Sequence, residues 1–212
     1  MQRSSDAVPR GRLVAVFLVC VSVFAALAAA VFALHWFDRI DPAALLFLSA
    51  HRTPALTHLM AGISWAHETV NLLVLVALAA GWLWRRGKRP WAGALVLAVP
   101  GAMLLNLLLK NTFARVRPGI GDPLVHLHTF SFPSGHTTAA TALYGWLCLF
   151  TWAQARTAGP RAAAAVFAVL MVGMVGLSRM YLGAHFPSDV SASVAAATAW
   201  LAMVRGALHN RA

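Results

Sequence analysis

Charged side chains are scarce in this 212-residue chain. They make up 11% of the residues, whereas hydrophobic residues make up 60%. A soluble domain of this length covers its surface with charged groups, and so few cannot do so. The scarcity excludes an ordinary soluble globular protein, and it identifies the lipid bilayer as the expected solvent.

Acidic residues are the scarcest charged group: six face 17 lysines and arginines, which gives a formal net charge of +11. In a soluble protein this excess would indicate a nucleic-acid partner. Here the basic residues stand in short runs between long apolar segments, as in the cytoplasmic loops of membrane proteins. With no basic face and no nucleic-acid-binding motif, we expect a membrane partner and no nucleic acid.

Cysteine is nearly absent, with Cys20 and Cys148 both inside apolar stretches. No Cys-x-x-Cys pair and no Cys/His spacing is present, so the sequence supports neither a zinc site nor a disulfide framework. Both cysteines are interpreted as small core residues.

Long apolar segments dominate what remains, and six of them approach the roughly 20 residues that a membrane-spanning helix needs. The sequence therefore predicts an all-α, polytopic membrane bundle with six transmembrane helices, a single domain over 13–212 and a cytoplasmic tail over 1–12. Because Arg10 and Arg12 precede the first segment, a cleaved signal peptide is the alternative, but the apolar run is longer than such peptides usually have. The predicted spans are 13–35, 67–84, 91–109, 134–154, 162–182 and 187–205.

Residues 36–66 are too interrupted by charged residues and prolines to span. Part of their surface is still apolar, in Ala43–Leu48 and Ala55–Ile63. We expect one or two short helices at the outer membrane interface between the first two spans. An ordinary extracytoplasmic loop is the alternative.

The basic residues also predict an orientation. With the N-terminus in the cytoplasm, 11 of the 17 lysines and arginines fall on the cytoplasmic side, and the Arg85–Arg89 cluster contributes most. The positive-inside rule then favours both termini in the cytoplasm. The loops at about 110–133 and 183–186 would share the extracytoplasmic side.

Those loops and the adjacent span ends collect polar residues in three clusters. In the first, Lys110 closes an apolar span and Arg117 precedes Pro118, which stiffens the backbone. An ammonium group and a planar guanidinium together suit a phosphate dianion. The alternative is interfacial snorkelling by Lys110 and headgroup anchoring by Arg117.

The second cluster, Ser131–Thr137, opens the fourth span. Ser134 is predicted to cap that helix, whose N-terminus favours anions, and Gly135 would let an oxyanion approach the backbone. His136 would then lie in the first turn beside the anion. A simple capping turn with an interfacial histidine is the alternative.

The third cluster contains Arg179, His185 and Asp189, with Pro187 suited to the first turn of the sixth span. The spacing of His185 and Asp189 allows the carboxylate to contact one imidazole nitrogen and leaves the other as a nucleophile. Asp189 could instead balance the helix dipole. Arg179 near a span end is costly without a partner, so it too indicates a functional site.

Together the clusters resemble the signature of the type-2 phosphatidic acid phosphatase superfamily, which includes lipid phosphate phosphatases and haloperoxidases. That signature reads Lys-x6-Arg-Pro, Pro-Ser-Gly-His and Ser-Arg-x5-His-x3-Asp. The corresponding residues here are Lys110, Arg117-Pro118, Pro133-Ser134-Gly135-His136, Ser178-Arg179, His185 and Asp189.

The resemblance implies a metal-independent phosphatase without a cofactor, acting on a lipid phosphate or diphosphate. It implies that His185 attacks phosphorus, that Asp189 orients it, and that His136 protonates the leaving oxygen and later activates water. The phosphoryl oxygens would be bound by Lys110, Arg117, Ser134, Gly135 and Arg179.

One departure from the family pattern is visible: small residues, Ser191–Ser193, stand where the family often has glycine, which affects packing detail only. Glu68 is a further candidate for water or substrate contact, although a plain interfacial carboxylate is the simpler interpretation. Among bacterial substrates, undecaprenyl diphosphate comes first because small six-span members often use it; phosphatidylglycerophosphate and phosphatidic acid are the other candidates. A lipid phosphotransferase and a non-catalytic lipid-binding or transporter-like protein remain alternative functions.

Overall fold

The computed structural model describes residues 9–120, 122–125 and 127–209. Within these ranges the chain is all helical and contains no strand. Residues 1–8 of the predicted tail lie outside them, and the first helix already begins at Arg10. The helices are α1 (Arg10–Phe32), α2 (Ile40–Ala50), α3 (Pro54–Ala66), α4 (Thr69–Arg85), α5 (Arg89–Phe113), α6 (Gly135–Gln154), α7 (Ala158–Tyr181) and α8 (Pro187–His209).

The outer surface of the bundle is apolar. Large side chains such as Val19, Leu78 and Val169 are more than 60% exposed. A contiguous surface of this kind is stable in lipid and not in water, and every helix satisfies its own backbone hydrogen bonds. The molecule is therefore a membrane protein.

Four helices in the described ranges, α1, α5, α7 and α8, are long and apolar enough to cross a bilayer on their own. The bent pair α3–α4, with 52° between its axes, qualifies as a fifth span only when taken together. Each predicted span does contain a helix. However, α4 has only 17 residues, and α6 is less apolar than the four spanning helices because it contains several threonines, which are buried against other helices. The count of six spans stays a prediction.

The region between α1 and α4 forms two helices, so its interpretation as an ordinary loop is wrong. Arg52, between α2 and α3, donates through Nε and Nη2 to the carbonyl oxygen of Tyr181 at 3.2 and 2.9 Å. The Tyr181 hydroxyl lies 3.0 Å from Oγ1 of Thr57 in α3. These bonds fasten α2 and α3 to the end of α7; their position at a membrane interface stays a prediction.

The main core lies between α4, α5, α6 and α8, where Leu95, Ala98, Val99 and Ala102 of α5 are fully buried. Small residues let these helices approach closely, since a side chain at Gly145 would meet Leu201. The core holds the α5–α6 loop against the α7–α8 turn, and the backbone bond from Leu124 N to Leu182 O (3.0 Å) joins them directly.

Candidate active site

Lys110 lies in the last turn of α5, and its side chain turns into the protein. Only 8% of the residue is exposed, and Nζ donates to the carbonyl oxygen of Phe130 at 2.5 Å. An ammonium group snorkelling to lipid headgroups would instead be exposed. Beside it, a Cβ added to Gly135 would lie 3.3 Å from Oδ1 of Asn106 and 3.9 Å from Cε of Lys110. Gly135 thus keeps the start of α6 close to the end of α5.

Arg117 crosses from the α5–α6 loop to the α7–α8 turn. Its Nε donates to the carbonyl oxygen of Thr129 at 2.5 Å, and its Nη1 donates to the carbonyl oxygen of Ala184 at 2.8 Å. The same Nη1 lies 3.3 Å from Nε2 of His185. Both carbonyl bonds fix the guanidinium beside the imidazole, so the first and third clusters meet at this pair.

His185 is the centre of the site. It is 1% exposed, in the turn between α7 and α8, and its Nδ1 faces Oδ2 of Asp189 at 3.6 Å. This separation is slightly longer than a hydrogen bond. Because Nε2 accepts from Arg117, the ring proton belongs on Nδ1, facing the carboxylate.

Burial is the main influence on the charge of His185. It lowers the pKa of His185 to about 4, although Asp189 acts in the opposite direction. The imidazole is therefore neutral at pH 7 and keeps its lone pair on Nε2. Burial also lowers the pKa of Arg117, against the effect of Asp189, but a guanidinium remains charged.

His136 and Arg179 contribute buried polar atoms that are unsatisfied. Nε2 of His136 and Nε of Arg179 have no hydrogen-bond partner among the described residues. Nη1 of Arg179 donates to the Ser64 hydroxyl of α3. Unpaired buried donors and acceptors are costly, and a phosphate ester offers matching oxygens to both groups.

Ser134 is the N-cap residue of α6, as predicted, but its hydroxyl does not accept a bond from the helix backbone. It accepts instead from the hydroxyl of Thr137 at 3.0 Å, and Ser134 is fully buried. The backbone of Ser134 bonds this helix start to α8. Its N–H donates to the carbonyl oxygen of Asp189 at 3.3 Å, and its carbonyl oxygen accepts from the hydroxyl of Ser193 at 3.0 Å. The second cluster thereby joins the third.

Comparison with known proteins identifies the family. The PAP2 superfamily profile matches residues 91–212, the segment that holds all three clusters. Phosphatidylglycerophosphatase B of Bacillus subtilis is 36% identical over 156 residues, covering 72% of this chain and 73% of the relative. The chain belongs to the PAP2 superfamily. This confirms the predicted family and enzyme class, a membrane phosphatase of lipid phosphates.

Other similar proteins agree with this membership. Decaprenylphosphoryl-5-phosphoribose phosphatase of Mycobacterium tuberculosis is 34% identical over 62% of this chain and 68% of its own. The crystal structure of a transmembrane PAP2-type phosphatidylglycerolphosphate phosphatase from Bacillus subtilis superposes with a TM-score of 0.81 at 30% identity, covering 93% of this chain and 96% of that chain. LpxE of Aquifex aeolicus shares the fold, with a TM-score of 0.60 at 22% identity, covering 78% of this chain and 94% of that one.

Several residues of this PAP2 site were not predicted from the sequence. Asn106, one turn before Lys110, donates at 3.1 Å to both the carbonyl oxygen of Pro133 and the hydroxyl of Thr138. Ser64 binds Arg179 from α3, as described above. A polar residue one turn from Lys110 was a usable signal for Asn106, whereas nothing local marks Ser64.

Arg115 and Asp41 were also missed as site residues. Nη1 of Arg115 donates to Oδ1 of Asp189 at 2.5 Å, and Nη2 donates to Oδ2 of Asp41 at 2.8 Å. In the sequence, Arg115 is one of the six lysines and arginines on the expected extracytoplasmic side, and Asp41 is one of the charged residues that interrupt 36–66; neither was predicted to belong to the site. The partners lie far apart in the chain, so no local spacing indicates them.

Glu68 lies at the α3–α4 junction of the PAP2 fold, exposed and at the N-cap position of α4. Contact with water or substrate stays a prediction. Among the described residues, no group of three histidines, cysteines or carboxylates is placed to hold a metal ion.

Proposed function

We propose that this PAP2 phosphatase hydrolyses a lipid phosphate or diphosphate through a phosphohistidine on His185, with charge supplied by side chains instead of a metal ion. One observation carries the proposal: the two nitrogens of His185 face opposite kinds of charge. Nε2 lies 3.3 Å from the Arg117 guanidinium, and Nδ1 faces the Asp189 carboxylate at 3.6 Å. The nucleophilic nitrogen is thus adjacent to a cation that binds phosphoryl oxygens.

In the first step, Nε2 of His185 attacks phosphorus, an N–P bond forms and the P–O bond to the lipid breaks. His136 donates a proton to the leaving oxygen. Asp189 stabilises the positive charge that develops on the imidazole. The three buried or half-buried cations, Lys110, Arg117 and Arg179, stabilise the charge on the equatorial oxygens.

In the second step, water attacks the phosphohistidine and transfers a proton to His136. The N–P bond breaks, inorganic phosphate leaves, and both histidines return to their starting states. The unpartnered Nε2 of His136 supports this role, since it is free to exchange a proton with the leaving oxygen and then with water. Ser134 and Gly135 would bind the same phosphate at the start of α6, where the first N–H groups have no partner within the helix.

We propose that the site faces the extracytoplasmic side of a bacterial inner membrane, with six spans and both termini in the cytoplasm. The distribution of lysine and arginine supports this orientation. The bent pair α3–α4 would supply one span, with α3 bent toward the interface beside α2, and α6 would span because α5, α7 and α8 cover its polar residues. An Ile120→Cys variant, labelled with a thiol reagent that does not cross the membrane, tests which side this loop faces. Labelling from outside the cell is expected; labelling only from the cytoplasm contradicts the orientation.

The lipid substrate follows from the position of the site at the ends of the helices, where a headgroup would lie. The relatives named above act on phosphatidylglycerophosphate and on a decaprenyl phosphoryl sugar phosphate. We place undecaprenyl diphosphate first among the candidates, followed by phosphatidylglycerophosphate and phosphatidic acid. A panel of these three lipids, with released phosphate as the readout, ranks them.

The decisive experiment measures phosphate release by purified protein in the presence of EDTA. We expect full activity with EDTA, and a loss of about 10³-fold or more in His185→Ala, because the nucleophile is removed. The matched control is His58→Ala, an exposed histidine of α3, which keeps wild-type activity. Loss of activity with EDTA, or activity in His185→Ala, contradicts the mechanism.

Substrate labelled with ³²P tests the intermediate itself. Label should remain on the wild-type protein after rapid quenching in alkali and be lost in acid, as an N–P bond requires. His185→Ala should carry none. Product analysis with added alcohol lipids separates a hydrolase, which yields inorganic phosphate, from a phosphotransferase, which yields a new phospholipid; a non-catalytic lipid-binding protein yields neither.

A further inference from the structure

Asp41 is an unusual residue for its place in the chain. It lies in the first turn of α2, before the segment that matches the family profile, and only 1% of it is exposed. A buried carboxylate needs charged or hydrogen-bonding partners, since its desolvation is expensive. The chain has only six acidic residues, and Asp41 shares one buried cluster with Asp189.

The partner of both carboxylates is Arg115. One arm of its guanidinium, Nη1, donates to Asp189 Oδ1 at 2.5 Å and to Ser188 Oγ at 2.8 Å. The other arm, Nη2, donates to Asp41 Oδ2 at 2.8 Å. The guanidinium carbon also lies 4.3 Å from the centre of the Phe186 ring. Four contacts in different directions leave the side chain a single orientation.

Asp41 also bonds directly to Ser188 at the start of α8, next to Asp189. Its Oδ1 accepts from the backbone N–H of Ser188 at 3.1 Å, and its Oδ2 accepts from the Ser188 hydroxyl. Asp41 therefore holds Arg115 and the start of α8 at the same time. Through these bonds α2 sets the relative position of the guanidinium and the residue next to Asp189.

The consequence concerns the second oxygen of Asp189. With Oδ1 held by Arg115, Oδ2 accepts from the backbone N–H of Phe186 at 2.9 Å and faces Nδ1 of His185. Each carboxylate oxygen of Asp189 therefore has its own donor, Arg115 on Oδ1 and the Phe186 N–H on Oδ2, and the two bonds together orient the carboxylate. The direction from Asp189 to His185 thus depends in part on Arg115.

We infer that Arg115 and Asp41 are positioning residues of this phosphatase: Asp41 orients Arg115, and Arg115 holds the Asp189 carboxylate toward His185. The inference rests on the proposed function of His185 as nucleophile. It assigns to α2 a part in catalysis beyond anchoring the fold.

The test is a double-mutant cycle between Arg115→Gln and Asp189→Asn, measured as kcat and KM. We expect Arg115→Gln to lower kcat by about 10- to 100-fold with KM changed less than about 3-fold, because orientation and not binding is lost. In the Asp189→Asn background the same change should lower kcat less than about 3-fold, since Arg115 acts through the carboxylate. Equal losses in both backgrounds overturn the inference, as does wild-type kcat in Arg115→Gln.

Two further variants test the inference even if Arg115→Gln does not fold. Arg115→Lys keeps the charge but lacks the two N–H arms that reach Asp189 and Asp41 at once, so we expect partial recovery of kcat relative to Arg115→Gln. Asp41→Asn should lower kcat about 3- to 10-fold, because it weakens the second arm of Arg115. The matched controls are Arg39→Gln and Asp38→Asn, exposed neighbours at the start of α2 that should keep wild-type kcat.

A measurement without turnover separates this inference from the proposed function. In NMR of ¹⁵N-histidine-labelled protein, the His185 signal is the one that is absent in His185→Gln. Its Nδ1–H resonance should shift in Arg115→Gln, because the Asp189 carboxylate beside it moves, while the Arg117 bond to Nε2 keeps the tautomer unchanged. If the wild type hydrolyses no lipid phosphate while the resonance shifts, the proposed function fails and the positioning role stands. If the wild type is active and neither the resonance nor kcat responds, the positioning role fails.

Discussion

The low pKa of His185 predicts a specific dependence of stability on pH. The folded protein has a pKa of about 4 at this residue, because it is buried, while an unfolded histidine has a pKa of about 6.5. Between these values the unfolded state binds the proton and the folded state does not. Stability therefore falls as the pH falls from about 6.5 toward 4, and the effect is absent well above 6.5.

The size of the effect follows from the two pKa values. At pH 5 the unfolded histidine is almost fully protonated and the folded one about a tenth protonated, which removes about 2 kcal/mol of stability relative to pH 8. For a chain of this length, about 2 kcal/mol corresponds to a shift in Tm of roughly 4–8 °C. The assay is thermal unfolding in detergent at both pH values, followed by the fluorescence of the eight tryptophans.

Other groups titrate over the same range, so the comparison variant is His185→Gln, which cannot take up the proton. We expect the wild type to lose about 4–8 °C more than this variant between pH 8 and pH 5. His58→Gln, at an exposed position, should behave like the wild type. Equal losses in the wild type and His185→Gln would refute the reasoning, because His185 would then bind a proton equally well in both states.

Two predictions concern the segments that hold the site together. Gly183→Ala should destabilise the fold by about 1–3 kcal/mol, since Gly183 has φ of +74° and a Cβ there would lie 2.9 Å from Cα of Pro123; the readout is thermal unfolding. Asn106→Ala should cost about 1–3 kcal/mol and lower phosphate release, because it removes the donor to the Pro133 carbonyl and the Thr138 hydroxyl.

Each of these changes has a matched control on an exposed helix face. Gly173→Ala in α7 meets no atom within 4 Å, so it should not destabilise. Asn111→Ala in α5 removes only a bond to the carbonyl oxygen of Leu107 within its own helix, so activity should persist. A Gly183→Ala protein as stable as Gly173→Ala would contradict the close approach of the α7–α8 turn to Pro123. Full activity in Asn106→Ala would contradict the role of Asn106 in holding the start of α6.

The helices of the bundle were largely predictable because a long apolar run satisfies its backbone only as a helix in lipid. The bounds differ by a few residues from those expected. In α6 the helix was predicted but the burial of its polar residues was not: the hydroxyls of Thr138 and Thr141 are buried and donate to backbone oxygens one turn earlier, Ser134 O (2.9 Å) and Thr137 O (2.8 Å). Hydropathy alone does not distinguish such residues from solvent-facing ones, because only the packing of neighbouring helices buries them.

The meeting of the three clusters was also predictable in outline. Successive spans place alternate loops on one side, so Lys110, His136 and His185 were expected at the same end of the bundle, and the structure brings the clusters together there. The spacing of His185 and Asp189 indicated their contact. What each of these residues does in catalysis stays a prediction that the variants above test.

By itself, then, the sequence determined the solvent, the helices and the signature residues, because each depends on composition or on spacing within a short segment. Only the tertiary structure decided how those residues are held. Asp41 and Arg115 are 74 positions apart, and the Asp41–Ser188 contact spans 147 positions. Periodicity tells which face of a helix is apolar, but the partner of a buried charge depends on how distant helices pack. For that reason α2, which the sequence presented as a connection between spans, proved to contact the start of α8 beside His185.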